Sequence, residues 1–405
     1  MNLLLIIDDY LPHSTRVGAK MFHELALELQ SYGHHITVIT PGFQQQNNLE
    51  IEVLDGITIW RFNNGEIKGV GKIRRAINES LLSFKAWSAV KSHINKESFD
   101  GVIYYSPSIF WGRLVRNIKK RCQCRSYLIL RDFFPQWAVD AGIIKKNSLI
   151  EIYFRYFERY LYKQANKIGL MSKNNFLLFN TLNKGYPCEI LHNWASIHPV
   201  VDYKTDYVSL RKRLSLQKKT IFFYGGNIGH AQDMANLMRL VKRMQCYEDV
   251  HFLFIGQGDE VDLINSLAKK WKLKNYSYLA SVDQNEFKCI LSEVDVGLFS
   301  LSAAHSSHNF PGKLLGYMVE SLPILGSVNA GNDLLEIIND NHAGIVYLNG
   351  DDDRLFSAAE KLYLDSQLRE QLGKGAYDLL KDQFSVTSAA RSIEMGIGGD
   401  DASNK

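Results

Sequence analysis

The sequence predicts an α/β protein of two doubly wound domains facing across a cleft, and three observations carry that prediction. At 405 residues the chain is too long for one ordinary core. Short β-rich apolar runs alternate with helical patterns, as in parallel βαβ units. The alternation stops near residue 195 and restarts near 220, after a polar, basic stretch with no clean period.

In the first half, Leu3–Ile7 reads as a buried strand that meets two carboxylates, Asp8 and Asp9. Phe22, Leu25, Ala26 and Leu29 recur at helical spacing, Gly33 can close that helix, and Ile36–Thr40 is the next strand. Val53–Trp60 predicts a hairpin or an edge strand, and Val102–Tyr105, Tyr127–Arg131 and Ile168–Met171 further buried strands. The second half reads as Thr220–Tyr224, His251–Ile255, Tyr276–Leu279, Val296–Phe299, Pro323–Gly326 and Ile345–Tyr347, each followed by a loop and a helix. The expected division is residues 1–200 and 201–382, with 195–218 as linker and an amphipathic segment at 383–396. Gly396–Lys405 reads as a disordered tail.

Composition narrows the class. Hydrophobic residues at 46% and charged residues at 22% describe an ordinary globular chain. No apolar run approaches the roughly 18–20 residues that span a bilayer, and the opening segment reads as a strand rather than a signal peptide. The cysteines, Cys122, Cys124, Cys188, Cys246 and Cys289, are scattered, and the one-residue gap between the first two is too short for a zinc knuckle. They read as free thiols of a reducing cytosol. Charge is uneven: residues 1–200 carry 25 Lys and Arg against 16 Asp and Glu, the remainder 22 against 27. With a net charge of only +4 and no reader motif, nucleic acid is not an expected partner.

In doubly wound sheets ligands sit beyond the C-terminal ends of the strands, so chemistry is sought in the loops that follow them. After Tyr224 comes Gly225-Gly226-Asn227-Ile228-Gly229-His230-Ala231-Gln232-Asp233. A strand, a glycine-rich turn and a helix in succession predict backbone N–H groups and a helix N-terminus against an anion, most often phosphate. Neither the dinucleotide fingerprint nor a Walker loop is present. Gly256 and Gly258 form a second turn after a strand, where the base of a nucleotide could lie. His305–Lys313 leads into Leu314-Leu315-Gly316-Tyr317-Met318 and starts a helix. A lysine in a first helical turn opposes the helix dipole, so Lys313 is a candidate for neutralising a pyrophosphate leaving group. The competing reading is a solvated surface lysine.

In the first half, His13, Arg16 and Gly18 lie between the first strand and its helix and could position a second substrate. Arg131-Asp132-Phe133-Phe134-Pro135-Gln136-Trp137 places a carboxylate at a strand end beside an arginine and under aromatics. Asp132 is a candidate general base or acceptor-binding group; a structural ion pair with Arg131 or a helix cap is the alternative.

Five passages together carry a family resemblance: Ile6–Lys20, Tyr104–Phe110, Leu130–Trp137, Phe223–Met234 and His305–Met318. The chain resembles the retaining family 4 glycosyltransferases of the GT-B fold, and closely the WbuB-type L-fucosamine transferases of O-antigen clusters. That resemblance implies two Rossmann-like domains, the acceptor on the first and a UDP-sugar on the second, and no metal or cofactor. It implies donor contacts from Gly225, Gly226, Asn227, Gly229, Gln232, Gly256, Gly258, His308, Pro311, Gly312, Lys313 and Leu314, and acceptor contacts from His13, Arg16, Gly18 and Arg131. It also implies that segment 383–396 crosses back onto the first domain. The chain departs from the family where paired glutamates are usual: His308 and Gly316 stand there, with Glu320 a substitute for ribose binding.

Arg113, Arg116, Lys119, Lys120, Arg121 and Arg125 fall within thirteen residues with no acid, interleaved with Leu114, Val115 and Ile118. Lys68, Lys72, Arg74 and Arg75 precede Leu81, Leu82, Phe84 and Trp87. Such stretches suit an anionic membrane surface, a solvated helix face being the alternative. The resulting expectation is a hexosyltransferase at the inner face of a bacterial membrane, acting on an undecaprenyl-diphosphate-linked acceptor. A UDP-sugar 2-epimerase and a silent partner subunit are the rival readings.

Overall fold

A computed structural model describes residues 1–14, 16–42, 45, 47–64, 78–140, 142–197, 207–304 and 310–399. The chain divides into two units, Met1–His192 with Val386–Lys405, and Asn193–Ser385.

The first unit is built on eight strands: β1 Asn2–Ile6, β2 His35–Gly42, β3 Leu49–Leu54, β4 Ile57–Asn63, β5 Gly101–Ser106, β6 Arg125–Leu130, β7 Lys167–Leu170 and β8 Cys188–Ile190. Their order across the sheet is β3-β4-β2-β1-β5-β6-β7-β8. Among the described residues only β3 runs antiparallel, against β4. Its turn, Asp55-Gly56, has positive φ at both residues (52° and 82°), the conformation a tight hairpin asks of an Asp-Gly pair. The central strands are apolar runs because helices cover both faces of the sheet. β8 escaped the sequence reading: it is three residues long, and none of its side chains is buried.

Helix Val386–Gly398 belongs to this unit. Glu394 Oε1 lies 2.9 Å from His34 Nε2, and Thr387 donates to Glu28 at 2.7 Å. A Cβ on Gly101 would stand 2.6 Å from Ile397, and one on Gly396 2.6 Å from the Tyr127 ring. Both glycines allow the helix to lie close to the sheet.

The second unit holds six parallel strands: β9 Thr220–Asn227, β10 Val250–Gln257, β11 Tyr276–Leu279, β12 Val296–Ser300, β13 Ile324–Val328 and β14 Gly344–Leu348, in the order β11-β10-β9-β12-β13-β14. Ile221 and Phe223 enter one core layer, Phe222 and Tyr224 the other, following the two-residue period of a strand. The division falls after His192, not after residue 200, because Ala195 already pairs with Ser385. Residues 207–218 are likewise no free linker. Arg211 forms a 2.7 Å ion pair with Asp295, and Glu293 accepts from Ser209 Oγ and from the Leu210 and Arg211 N–H groups. These contacts hold the Glu293 carboxyl below its usual pKa despite the opposing effect of burial.

Candidate functional site

In the second unit, β9 runs farther than the sequence predicts. Gly225, Gly226 and Asn227 are its last residues and pair in register with Ile255, Gly256 and Gln257 of β10. They are strand rather than turn, because glycine lets the two backbones close up. A Cβ on Gly256 would stand 1.8 Å from the Gly226 carbonyl oxygen, and one on Gly258 2.1 Å from that of Ile228. Gly225 gives room to the Phe287 ring, 2.6 Å from where its Cβ would be. Tyr317, fully buried, accepts the Gly225 N–H at 3.2 Å and lies 3.0 Å from the Leu298 carbonyl, to which its hydroxyl donates. One phenol therefore ties the end of β9 to β12.

Lys313 points at this end of β9. Its stem is partly accessible, but Nζ is buried and has no hydrogen-bond partner among the described residues. Nζ lies 3.3 Å from the centroid of the Tyr224 ring and 3.9 Å from where a Gly226 Cβ would stand. Burial holds its pKa well below the ordinary lysine value. The aromatic face offers a cation some attraction, yet an ammonium without an anionic partner is poorly placed in such surroundings. An anion arriving at the Gly226 end of the strand would supply that partner.

The helix after the glycine segment, Met234–Arg243, is capped from within the protein. Asp233 accepts from the Asn236 N–H, and Glu260 accepts from the Met234 N–H at 3.1 Å. Glu260 also lies 2.8 Å from His230 Nδ1. Two of the N–H groups at this helix N-terminus, those of Met234 and Asn236, are thus taken by carboxylates. Asn227 and Gln232 hydrogen-bond to each other at 2.9 Å, and a Cβ on Gly229 would meet Asp259 at 2.6 Å. Pro311 and Gly312 lead into helix Lys313–Val319, and Leu314 is in the core. Glu320 caps the far end of that helix, about 10 Å along its axis from Lys313 at 1.5 Å per residue. Burial raises its pKa and Lys288 opposes the rise, so it keeps company with Lys288 rather than with Lys313. His308 lies outside the described residues.

In the first unit the ends of β1, β5 and β6 gather a second group. Asp8 accepts from Trp111 Nε1 at 2.8 Å. Burial raises the Asp8 pKa to about 7; the Trp111 bond opposes this, and the charges of Glu79 and Asp9 add to it. Asp132 is raised by burial too, and Arg131, which donates to the His192 carbonyl at 2.9 Å, is lowered to about 10 by burial. The charges of Arg131, Asp8 and Asp132 all act on the Tyr105 phenol, so the three lie around one side chain of β5. Asp8, at the end of the first strand, thus joins this group. Arg16 sits 3.4 Å from Asp9, which also accepts from Ser14 at 2.8 Å. His13 is exposed and 3.8 Å from Glu52, and Gly18, in the first helical turn, has nothing within 4 Å of a Cβ.

The basic run forms helix Gly112–Cys122, which buries Leu114, Val115 and Ile118. Three of its cations are committed to the protein itself. Lys119 donates to the Gln164 carbonyl and to Asn166, Arg121 to the Lys91 and Ile94 carbonyls, and Arg113 lies 5.5 Å over the Phe84 ring. The other basic group, Lys68, Lys72, Arg74 and Arg75, lies outside the described residues. Among the described residues no helix is long and apolar enough to cross a membrane.

Two parallel-sheet Rossmann-like units are the architecture of the GT-B fold. The family model "Glycosyl transferases group 1" matches residues 209–379, nearly all of the second unit. Over that stretch the chain is similar to the group 1 glycosyltransferases. The chain is 24% identical over 340 residues to the putative colanic acid biosynthesis glycosyl transferase WcaI of Escherichia coli K12, covering 78% of this chain and 80% of the relative. It is also 24% identical to the probable glycosyltransferase WbjE of Pseudomonas aeruginosa, over 221 residues and 54% of each chain, so that match spans about half of the relative. Among solved structures, WaaG, a glycosyltransferase involved in lipopolysaccharide biosynthesis, superposes with a TM-score of 0.63 at 13% identity over 98% of this chain and 100% of its own. HepE of Anabaena, in complex with UDP and glucose, gives 0.66 at 12% over 97% and 98%. At these identities the structures speak for the fold alone.

Proposed function

We propose that the chain transfers an N-acetylated 6-deoxyhexosamine, N-acetyl-L-fucosamine, from UDP to a lipid-linked acceptor ending in a GlcNAc-type sugar, at the cytoplasmic face of a bacterial membrane. The observation that carries the donor half is the buried, unpartnered Lys313 ammonium beside Gly226. A nucleoside diphosphate leaves with added negative charge, and a fixed cation in a dry site stabilises that charge far more than water would. HepE was solved with UDP and glucose, which supports a UDP-linked donor. WcaI and WaaG are named for colanic acid and lipopolysaccharide biosynthesis, which supports a polysaccharide acceptor.

In the first unit, Asp132 orients the acceptor hydroxyl or takes its proton; burial raises its pKa and so makes its carboxylate a stronger base. Arg131 and the segment holding His13, Arg16 and Gly18 would hold the acceptor. The donor set would be completed by Gly225, Asn227, Gly229, Gln232, Gly256, Gly258 and residues 308–314. The deciding experiment is mass spectrometry of a diphosphate-linked GlcNAc lipid after incubation with a panel of UDP-sugars. A gain of one N-acetyl-deoxyhexosamine supports the reading. A UDP-sugar converted without acceptor would indicate epimerisation, and binding without turnover a silent subunit.

A further inference from the structure

Helix Leu149–Tyr162 carries its charge and its apolar residues the wrong way round for a helix bathed in water. Its two carboxylates are inside: Glu151 is 9% and Glu158 2% exposed, and both pair with Arg155. Its outer stripe is apolar: Leu149, Ile152, Tyr153 and Tyr156, at i, i+3, i+4 and i+7, are all exposed, Leu149 at 85% and Tyr156 at 63%. Helical spacing makes these four one continuous face. Phe154 and Phe157 fill the inner side, against Phe110 and Phe134. Trp137, 46% exposed, packs on Phe134 and so stands beside the same helix.

The exposed charge around this face is mostly positive. Lys145 and Lys146 precede the helix, and Arg159 and Lys163 close it, all four exposed. Glu151, Arg155, Tyr156, Arg159, Tyr160 and Lys163 are among the residues bordering a cavity of about 530 Å³ along the helix, large enough for a phosphate headgroup, and the one carboxylate there is paired with Arg155. A contiguous apolar stripe with aromatic residues, flanked by four exposed cations against one exposed acid, Asp140, which accepts from Gln136, matches an anionic bilayer interface, with apolar side chains below the headgroups and cations among them.

We propose that the outer face of helix Leu149–Tyr162, with Trp137 and its flanking cations, is where this chain docks on an anionic lipid bilayer. The proposal rests on the reading above only for the expectation that the chain works at a membrane. It moves the contact away from helix Gly112–Cys122, whose cations are half engaged within the protein.

The test is sedimentation of the full chain with vesicles of phosphatidylcholine alone or mixed with phosphatidylglycerol, in the absence of any sugar nucleotide. The wild type should bind the mixed vesicles and leave those of phosphatidylcholine alone largely free. Ile152→Glu/Tyr156→Glu, at exposed positions, should weaken binding at least about tenfold. Arg116→Glu/Lys120→Glu should bind within about twofold of wild type. Brominated phosphatidylglycerol should quench wild-type tryptophan fluorescence more than that of Trp137→Phe. Unchanged binding in the Ile152/Tyr156 variant overturns the proposal, as does loss of binding in the Arg116/Lys120 variant. So does a concentration-dependent dimer abolished by Ile152→Glu/Tyr156→Glu, which would make the face a self-interface. Vesicle binding without sugar transfer would leave this surface standing while the proposed reaction falls.

Discussion

Lys313 Nζ lies 3.3 Å from the centre of the Tyr224 ring and has no hydrogen-bond acceptor among the described residues. A charge so placed is either neutral at rest or waiting for an anion. Lys313→Met fills similar volume without the charge, so the fold should lose little, and at neutral pH the apo variant should melt at or above the wild-type temperature. The sign follows from the lowered pKa. Below the folded-state value the burial penalty is complete; as pH rises toward the unfolded value of 10.5 the penalty fades, so the gap between variant and wild type should close. UDP should raise the wild-type melting temperature and leave that of Lys313→Met nearly unmoved. Turnover should fall about 10²–10³-fold, the usual loss of one charge-stabilising group. An apo variant that melts lower at neutral pH and still responds to UDP would remove Lys313 from the donor site.

Tyr317→Phe removes the hydroxyl that accepts the Gly225 N–H and donates to the Leu298 carbonyl. Both backbone groups are buried, so the change should cost about 1–3 kcal/mol in urea unfolding. Because the same hydroxyl fixes the end of β9, the KM for the donor should rise as well. A loss of stability with an unchanged KM would mean that the glycine end of β9 plays no part in donor binding.

Gly256→Ala tests the close approach of β9 and β10. The added methyl would stand 1.8 Å from the Gly226 carbonyl oxygen, which cannot yield without parting the strands. The loss of stability should reach at least the roughly 1–3 kcal/mol of ordinary overpacking, whereas Gly312→Ala, with nothing within 4 Å, should be nearly silent. Equal melting temperatures for the two variants would contradict the register of these strands.

The parallel strands were legible in the sequence because burial on both faces writes them as apolar runs, and the Asp55-Gly56 turn carries its own hairpin signal. Lys313 was legible as a misfit with its helix end. Tyr317 was not: a buried aromatic in a helix looks like any core residue until its hydroxyl is seen bridging two strands. Glu260 was equally hidden, since its partners Met234 and His230 lie in another loop, and only tertiary structure brings it to the N-terminus of helix Met234–Arg243. The outward stripe of helix Leu149–Tyr162 was masked by amphipathicity itself. Apolar residues recur on both sides of that helix, and sequence does not say which side faces in.

The last prediction separates two carboxylates at the strand ends of the first unit. Asp8 is raised to about 7, mainly by burial, while Asp132 is raised by burial alone. For Asp8 the unfolded state ionises near 3.8 and the folded state near 7, so stability falls as pH rises between them and is level above. Asp8→Asn keeps the shape and removes that term. Relative to wild type, the variant should therefore gain stability from pH 4 to pH 7 and then hold a constant difference. Its activity need not vanish if Asp8 only supports Trp111, which donates to it at 2.8 Å. Asp132→Asn, in contrast, should lower kcat about 10²–10⁴-fold and remove the acidic limb of the pH–rate profile. If Asp8→Asn abolishes that limb while Asp132→Asn retains it, the proton acceptor is Asp8. The two carboxylates lie around the same tyrosine, so such an exchange of roles would leave the acceptor on the same strand ends of the first unit.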